Sequence, residues 1–463
     1  MGEAGGKPPD QARIFAQSRM SVNWKGWQWC VSRFGLVIPR MGSYEDRMTA
    51  DACLIDDFGP LPVVRPGSVV ELREVVRRAA DEGHAVYPVG GRTRLDLGLP
   101  PSRPGVAVDL RSLVRVIDYP ARDMTLTVQA GITLAELQRL LGAENQRLPI
   151  DVPHPEQTTL GGALATNTSG PRRCGSGTLR DYVIGISTVN DAGEETKAGG
   201  RVVKNVAGYD LCKLHIGALG TLGVITQVTL KVRPRPESRV ILTLGCERDA
   251  LGPLLDLMHR SRCRPSCLDV LNRRAAYIVM ASGVVLPETP WVLLVGFEDS
   301  EAAVEWQVQH LIREAGSASV RGLEARAGAT SDPLWRELSE LALSPEARLS
   351  FQANLLPGAV PDFCQWLDGF PEATAVQAHA GSGIVHGHVA DLTLERATDM
   401  LRELLDATGS ARGNVVLRRC PPAWKMALPV WGRPRGDWTL MRQVKDALDP
   451  RRLFNPGRFV DGI

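Results

Sequence analysis

Long apolar runs, paired cysteines and a large net charge are all missing from this sequence. No run of about 18 apolar residues occurs among its 463 residues, which excludes an ordinary membrane-spanning helix. The nine cysteines are scattered and form no Cys-x-x-Cys pair, so neither a disulfide framework nor a zinc ribbon is predicted. A formal net charge of +2 gives no reason to expect nucleic acid as a partner. Reduced thiols in a cytoplasmic protein are the simplest interpretation.

The beginning of the chain differs in composition from the remainder. It lacks the short apolar core and cleavage site of a secretory signal peptide. The stretch NWKGWQWCVSRFGLVIPR, residues 23–40, carries three of the ten tryptophans, several basic residues and no acidic residue. We interpret residues 1–55 as an N-terminal extension that is poorly ordered in part. Contact with a membrane surface or a partner is the alternative interpretation.

Alternating strand and helix patterns predict an α/β arrangement for residues 56–236. Ser68-x-x-Glu71 and Thr133-x-x-Glu136 each match a capping box at the start of an apolar helical pattern. Pro234 and Pro236 mark a boundary. Beyond it, strands and helices follow in simple succession, which is typical of an antiparallel sheet with helices on one face. We expect strands there at 239–245, 275–280, 291–297, 348–355, 374–379 and 384–389. We expect helices near 249–260, 300–315, 332–342, 358–367, 393–407 and 437–447.

A strand that ends in two glycines raises the question of function. The segment VYPVGGRTRLDLG, Val86 to Gly98, places Gly90, Gly91, Arg92 and Thr93 directly after the strand. Successive main-chain N–H groups in such a turn can bind a phosphate, with a hydroxyl as an extra donor. A tight turn without a ligand is the alternative. The segment matches neither G-x-G-x-x-G nor the G-K-[ST] of a P-loop.

A second glycine and hydroxyl turn favours the phosphate interpretation. Thr158-Thr159-Leu160-Gly161-Gly162 opens a predicted short helix, and Asn167, Ser169 and Gly170 come soon after it. Two such turns on one α/β domain suit a long cofactor that is held at several points.

Four ordered motifs carry a family resemblance. YPVGGRTRL, TTLGGALATNTSGPRR, KNVAGYDLCKL and GALGTLGVIT together resemble the FAD-binding domain of the vanillyl-alcohol oxidase type, also called PCMH-type. With FNPGRFVDGI near the end, the chain is similar to the FAD-binding subunits of glycolate oxidase of the GlcE type. The resemblance implies an α+β fold: a two-part PCMH-type FAD-binding domain plus an α+β cap domain with an antiparallel sheet. Its parts are expected at 56–236 for FAD, 237–425 for the cap, and 426–463 for a C-terminal segment returning to the FAD domain.

The resemblance also implies which residues contact FAD. The first turn would hold the pyrophosphate, the second turn the ribityl chain and flavin edge, and later segments the adenine-ribose end and the surroundings of the cofactor. The residues are Val89, Gly90, Gly91, Arg92 and Thr93; Thr158, Gly161, Gly162, Asn167 and Gly170; Gly223 and Ile225; and Lys204, Asn205, Gly208 and Tyr209. Covalent members often carry a histidine in the first turn, which is absent here, so we expect non-covalent FAD.

The catalytic residues match the family pattern less closely. Related 2-hydroxy-acid dehydrogenases carry a metal-binding His-x-x-Asp-x-Asn-x-His loop and a later glutamate. HAGSGIVH keeps His379 and His386 but has Ser382 and Ile384 in place of the acid and amide. Two imidazoles alone make a poor metal site, so we expect no metal. The remaining candidates for catalytic or polar contacts near the flavin are His386, His388, Lys425 and Arg458. Among them, Arg458 is favoured as a contact to the substrate carboxylate or to the flavin.

The resemblance therefore leaves the function divided between hypotheses. The first is an FAD-dependent 2-hydroxy-acid dehydrogenase of the glycolate or D-lactate class, which passes hydride to flavin N5. The second is a non-catalytic flavin subunit for assembly or electron relay, with a second FAD subunit and an iron–sulfur subunit as partners. This chain has no cysteine cluster for an iron–sulfur centre. A third, an interaction protein that has lost its flavin, disagrees with the intact glycine turns. A cytoplasmic location, peripheral to a membrane only through partners, is expected.

Overall fold

A computed structural model describes residues 52–201, 209–316, 320–344, 346–410 and 412–463. These residues belong to one compact unit. For description, we call residues 52–236 the first part, 237–425 the second part and 426–463 the C-terminal segment. The predicted extension, residues 1–55, lies outside the described residues up to residue 51, and a strand begins at Cys53.

The first part combines a five-stranded sheet, a three-stranded sheet and two strand pairs with helices. Its strands are β1 Cys53–Ile55, β2 Phe58–Leu61, β3 Val63–Val64, β4 Ala85–Val89, β5 Gly105–Asp109, β6 Val116–Asp118, β7 Thr125–Gln129, β8 Gln146–Arg147, β9 Val183–Val189, β10 Glu195–Gly199, β11 Val224–Lys231 and β12 Arg233–Pro234. Its helices are α1 Val69–Asp81, α2 Leu134–Ala143, α3 Leu160–Thr166, α4 Arg173–Ser176, α5 Leu179–Tyr182 and α6 Cys212–His215. A parallel sheet has the order β3-β5-β4, and an antiparallel sheet has the order β10-β9-β11-β7-β6. The strand pairs are β1-β2 and β12-β8.

The predicted N-caps at Ser68 and Thr133 are confirmed, but without the reciprocal bond of a capping box. The Ser68 hydroxyl accepts a hydrogen bond from the N–H of Glu71 at 3.2 Å, while the Glu71 carboxylate accepts from the N–H of Gly67 at 3.0 Å and not from Ser68. The Thr133 hydroxyl caps α2 by accepting from the N–H of Glu136 at 3.2 Å. These bonds satisfy N–H groups that a helix leaves without partners at its start.

The second part is built on one large antiparallel sheet. Its strands are β13 Ser238–Cys246, β14 Cys267–Asn272, β15 Trp291–Asp299, β16 Val320–Ala327, β17 Leu349–Asn354, β18 Thr374–His379, β19 Ile384–Val389 and β20 Asn414–Arg419. Their order is β16-β13-β15-β14-β18-β19-β17-β20. The helices are α7 Leu251–Arg260, α8 Arg273–Met280, α9 Glu301–Ala315, α10 Asp332–Glu340, α11 Val360–Asp368 and α12 Leu394–Ser410, with α13 Asp437–Leu448 in the C-terminal segment. This mixed architecture confirms the predicted α+β fold class.

The two faces of the large sheet differ in what covers them. One face packs along its length against α7, α9, α11 and α12 in the largest apolar cluster of the described residues. On the other face, α8 and α10 pack against β13, β14, β15 and Ala375 at the start of β18. Strands β18, β19, β17 and β20 turn polar side chains to this second face.

One sequence-based strand is wrong. Residues 275–280 were expected to form a strand because they are rich in apolar and β-branched residues, but they lie in α8. The side chain of Asn272 accepts a hydrogen bond from the N–H of Ala275 at 3.0 Å and starts the helix there. Ala275, Ala276 and Val279 are buried while Tyr277 and Ile278 are exposed, which is a helical spacing. Strands β14, β16 and β20 were not predicted.

Buried charges and a returning strand hold the parts together. The Arg172 guanidinium lies between the carboxylates of Asp151 in the first part and Glu298 in the second, and Arg147 also pairs with Glu298 at 2.9 Å. The C-terminal segment adds to the parallel sheet, because the N–H of Val86 donates to the carbonyl of Leu453 at 2.8 Å. Among the described residues, no helix is both long and apolar enough to cross a membrane.

Candidate cofactor and substrate site

The first glycine turn presents unused main-chain donors. In the described part of the chain, the N–H groups of Gly90, Gly91 and Thr93 donate no hydrogen bond. Arg92 has a positive φ of 60°, so the turn changes direction between these donors. Consecutive N–H groups on either side of a left-handed residue form a concave site for an anion.

The second turn packs directly against the first. The hydroxyls of Thr93 and Thr158 are 3.1 Å apart, and Thr159 caps α3 by accepting from the N–H of Gly162 at 3.2 Å. A Cβ atom on Gly91 would lie 1.8 Å from the carbonyl oxygen of Gln157. Gly90 and Gly91 have negative φ, so this close approach of the two turns is what requires glycine.

A cavity opens where the two turns meet the C-terminal segment. Seven of its lining residues were predicted to contact FAD, and, apart from Arg458, its other lining residues were not named as contacts. The predicted ones are Val89, Gly90, Gly91, Arg92, Thr93, Thr158 and Gly162. The others include Arg94, Thr159, Ala165, Thr166, Thr168, Leu219 and Asn455, and the predicted catalytic residue Arg458 also lines this cavity.

Other predicted contacts lie beside the cavity. A Cβ atom on Gly161 would lie 3.0 Å from the Cβ of Ala130, and one on Gly170 would lie 2.8 Å from the Cβ of Asp151, so both glycines allow close packing within the protein. Asn167 ends α3 in the left-handed conformation. Its buried Oδ1 has no hydrogen-bond partner among the described residues.

The remaining predicted contacts are spread more widely. Gly223 has a φ of +141° next to β11, and Ile225 lies in that strand opposite Thr188. Tyr209 is 94% exposed. Lys204, Asn205 and Gly208 lie outside the described residues. For all of these residues, contact with the cofactor stays a prediction.

The arrangement fits FAD in two respects. A dinucleotide with a pyrophosphate needs several N–H donors close together, and the first turn has them unused. The buried Asn167 Oδ1 near the cavity is an acceptor that still needs a donor.

The side chains of Lys425 and Arg458 donate hydrogen bonds to other groups of the protein. Lys425 is 2% exposed, and its ammonium group donates to Asp56 Oδ1 at 2.7 Å and to the carbonyl of Gly98 at 2.9 Å. Arg458 donates to Asp56 Oδ2 at 3.2 Å and to the carbonyls of Leu95 and Leu97 at 2.8 and 2.7 Å. Both side chains therefore fix the chain after the first glycine turn to the strand end at Asp56. Direct contact of either with a substrate stays a prediction.

A polar face forms where helices leave the large sheet uncovered. Side chains alternate between the faces of a strand, and the strand registers place His386 opposite both Gln377 and Gln352, and His388 opposite Ser350. We call this set of side chains the polar face: Asp269, Ser350, Gln352, Gln377, His379, His386, His388 and Arg418. Their neighbours on each strand, such as Val376, Val385 and Phe351, point into the apolar cluster on the other side.

The three histidines of the polar face are buried and differently bonded. His379 Nδ1 is 2.8 Å from Asp269 Oδ1, and the rings of His379 and His386 are 5.2 Å apart. His388 Nδ1 is 2.9 Å from the hydroxyl of Ser350. In the part of the chain that the structure describes, no three metal-ligating side chains come together.

The electrostatic environment keeps two of the imidazoles neutral. Burial, followed by the positive charges or dipoles of His379, His388, Arg418 and Arg94, lowers the pKa of His386 well below its usual range. Burial and then Arg94 lower the pKa of His388 to about 4. The cavity and the polar face adjoin, because Arg94 lines the cavity and Asp96, two residues later, lies 3.6 Å from Arg419 on β20.

Several of these residues were not predicted from the sequence. Arg94 stands directly after the predicted turn, so its place in the motif was visible. Arg418 lies on β20, a strand that was not predicted, and Asp269 lies on β14, which was not predicted either. No spacing in the sequence joins these residues to the histidines.

Comparison with known protein families gives the cofactor. Residues 60–199 match the family model described as FAD binding domain. Residues 235–415 and 431–459 match the model of the C-terminal domain of FAD linked oxidases. The expectations of a PCMH-type domain and of FAD are thereby confirmed.

Individual relatives agree with the family models. A D-2-hydroxyglutarate dehydrogenase of Xanthomonas citri pv. viticola is 30% identical over 431 residues, which are 87% of this chain and 89% of that protein. The glycolate oxidase subunit GlcE of Escherichia coli is 36% identical over 172 residues, covering 37% of this chain and 49% of the subunit. Matches of the first kind span nearly the whole chain, so the narrower GlcE type is not established.

The fold has a solved counterpart. A structure of an alkyldihydroxyacetonephosphate synthase superposes with a TM-score of 0.63 at 19% identity, covering 86% of this chain and 77% of that one. An FAD binding domain followed by an oxidase C-terminal domain accounts for both parts and for the C-terminal segment. The chain belongs to the FAD-linked oxidases and is an FAD-dependent oxidoreductase.

Proposed function

We propose that this protein is an FAD-dependent dehydrogenase of a small 2-hydroxy acid, of the glycolate, D-lactate or D-2-hydroxyglutarate class. The observation that carries the proposal is the adjoining position of the glycine-turn cavity and the polar face, since Asp96, two residues after Arg94, lies 3.6 Å from Arg419 on β20. The cavity supplies donors for a cofactor, and the polar face supplies neutral imidazoles. The 30% identical relative, named as a D-2-hydroxyglutarate dehydrogenase, supports the same class.

In this proposal, one set of residues binds the cofactor and another carries out the proton transfer. The N–H groups of Gly90, Gly91 and Thr93 bind the pyrophosphate, and Thr158, Gly162 and Asn167 line the path towards the flavin. When bound, FAD supplies a two-electron acceptor for hydride at N5. The first glycine turn has no histidine, so the cofactor is held without a covalent bond.

His386 is the base in this proposal. Oxidation of a 2-hydroxy acid to a 2-oxo acid removes the α-hydrogen as hydride and the hydroxyl proton as a cation. A neutral imidazole accepts that proton, and the lowered pKa keeps His386 neutral at physiological pH. The second ring, His379, lies 5.2 Å away and is held by Asp269, so it positions His386 by packing against it.

A flavin relay subunit in a larger assembly is the second candidate. The incomplete histidine loop, with Ser382 and Ile384 where relatives have an acid and an amide, favours it. The 36% identity to a GlcE subunit over 172 residues points the same way. In this case a second FAD subunit carries out the oxidation, and an iron–sulfur subunit takes the electrons.

One experiment separates the two candidates. The purified chain is loaded with FAD and mixed anaerobically with glycolate, D-lactate or D-2-hydroxyglutarate, with acetate as the matched acid that has no hydroxyl. Bleaching of the flavin band by a hydroxy acid but not by acetate is the expected result. A flavin band that none of the acids bleaches contradicts the dehydrogenase and favours the relay subunit.

A further inference from the structure

Two arginines meet at the junction of the cavity and the polar face. Arg94 comes from the first part, directly after the glycine turn, and lines the cavity. Arg418 comes from β20 of the second part, between Leu417, which points into the apolar cluster, and Arg419. Both side chains are half-buried, and the segments that carry them lie together, because Asp96, two residues after Arg94, lies 3.6 Å from Arg419, the residue after Arg418. Arg418 also lowers the pKa of Arg94.

Neither guanidinium has a partner in the described part of the chain. No side-chain hydrogen bond or ion pair joins Arg94 or Arg418 to a described residue, and Arg94 Nε is shielded from solvent. Burial and then Arg418 lower the pKa of Arg94 to about 9, and burial lowers the pKa of Arg418 to about 10. Two half-buried cations held close together repel each other, and an anionic ligand would balance them.

The described side chains here supply one carboxylate for three guanidinium groups. Asp96 raises the pKa of both arginines, and its Oδ2 lies 3.6 Å from Nε of Arg419. Elsewhere on the polar face, Asp269 is engaged by His379 and Gln377. The local charge around Arg94 and Arg418 is therefore positive.

One ring nitrogen of His388, close to Arg94, also lacks a hydrogen-bond partner within the described ranges. His388 Nε2 is buried and has no hydrogen-bond partner among the described residues, while its Nδ1 is bonded to Ser350. His388 is 4% exposed, and Arg94 is close enough to lower its pKa. A polar ligand beside Arg94 would satisfy this nitrogen.

We propose that Arg94 and Arg418, one from each part of the chain, form the binding site for the carboxylate group of the substrate, with His388 Nε2 as a third polar contact. A planar carboxylate matches the guanidinium fork, and two forks fix its orientation without a metal ion. The site rests on the proposed function, because it lies beside the base assigned there. It also requires the two parts of the chain to be correctly placed, since each supplies one cation.

The phosphates of FAD are expected to bind at the first glycine turn and not at the two arginines. The unused N–H donors for a pyrophosphate lie in Gly90, Gly91 and Thr93, ahead of Arg94 in the chain. Arg94 instead acts electrostatically on His386 and His388, which belong to the second part. The carboxylate site thus adjoins the cofactor cavity at Arg94, which lines that cavity, and continues from there to the second part.

Oxalate is the probe for this site, because it carries the carboxylate but cannot be oxidised by the enzyme. The FAD-loaded full chain is titrated with oxalate by calorimetry and by the shift of the flavin band. Arg94→Met and Arg418→Met are each expected to weaken oxalate binding by about ten- to a hundredfold. Arg418→Lys restores part of the affinity. Arg402→Met, which removes an exposed arginine paired with Asp399 on α12, is the matched control and should leave it unchanged.

The thermal midpoint of the ligand-free protein separates binding from a structural role. Removing one of two repelling buried cations should leave this midpoint unchanged or raise it, while the stabilisation by oxalate is lost. A lower midpoint in both methionine variants with oxalate affinity intact would show that the arginines are structural. Loss of FAD instead of loss of oxalate binding would assign them to the cofactor phosphates and overturn the proposal.

Failure of the site and failure of the proposed function give different results. If the wild-type flavin is bleached by a hydroxy acid but the arginine variants bind oxalate like the wild type, the carboxylate site is wrong and the dehydrogenase stands. If oxalate binding depends on both arginines but no hydroxy acid bleaches the flavin, the site stands and the dehydrogenase is wrong. Absence of oxalate binding to the wild type also contradicts the site.

Discussion

The first and second parts of this molecule build their polar sites in different ways. In the first part, the cofactor cavity comes from two short turns, each contiguous in the chain. In the second part, the polar face takes one or two side chains from each of five strands, β14, β17, β18, β19 and β20. The first site depends on backbone donors, and the second on side chains that meet only after the sheet has formed.

This difference decides how each site tolerates change. A backbone site depends on close approach, so one added Cβ atom is enough to separate the turns. A side-chain site on a sheet keeps its framework when one member is replaced, because the apolar residues on the opposite face still pack against α7, α9, α11 and α12. We therefore expect all-or-none effects in the first part and graded effects on the polar face.

The largest expected effect is that of Gly91→Val. Its Cβ would lie 1.8 Å from the carbonyl oxygen of Gln157, so the two turns must move apart and the row of N–H donors is lost. The variant is expected to retain almost no FAD, measured as flavin absorbance per protein after purification. Gly358→Val, at an exposed glycine whose Cβ would meet nothing within 4 Å, is the control. If Gly91→Val retained the wild-type flavin content, the assignment of the first glycine turn to the FAD pyrophosphate would be wrong.

A large effect is expected for Lys425→Met, at the link between the parts. The ammonium group of Lys425 balances Asp56, which is 1% exposed at its side chain, and removing it leaves this buried carboxylate with Arg458 alone. Breaking a buried ion pair from one side costs about 3–5 kcal/mol, to be read from denaturant unfolding.

Lys197→Met, at an exposed lysine, should change stability by less than about 0.5 kcal/mol. A catalytic Lys425 would give a different pattern. The free energy of unfolding and the flavin content would then stay near wild type while the turnover number falls.

The smallest expected effect concerns pH and His388. Its pKa of about 4 in the folded protein lies below the value of about 6.5 for an unfolded histidine. The unfolded chain therefore binds the proton first as pH falls, and the associated stability is present above pH ~6.5 and lost as the pH falls towards 4. Between pH 7 and 5 this histidine should cost the wild type roughly 1–2 kcal/mol.

His388→Gln should flatten the pH dependence of the thermal midpoint, because the group that takes up the proton is gone. The exposed His259→Gln is the control and should leave the slope unchanged. An unchanged slope in His388→Gln would mean that the imidazole is not shielded from water as the structure places it.

The same contrast explains what sequence reasoning found and missed. The helix caps at Ser68 and Thr133 and the strand before Gly90 depend on neighbours within a few residues, so they were predicted and are confirmed. The segment 275–280 was misjudged because its apolar residues suit a strand, while the decisive cap at Asn272 stands just before it. Arg418 was missed because β20 was not predicted, and because it falls at an irregularity in the pairing of β20 with β17, between Leu417 opposite Phe351 and Arg419 opposite Ser350.

Anaerobic reduction of the FAD-loaded chain by glycolate, D-lactate and D-2-hydroxyglutarate, each carrying hydrogen or deuterium at C2, tests the central claim most directly. The account predicts that at least one acid bleaches the flavin band, that deuterium slows the bleaching without changing its extent, and that Arg94→Met and Arg418→Met raise the acid concentration needed. A flavin band that stays oxidised with all three acids would contradict the claim that this one chain carries the cofactor and the 2-hydroxy-acid site together.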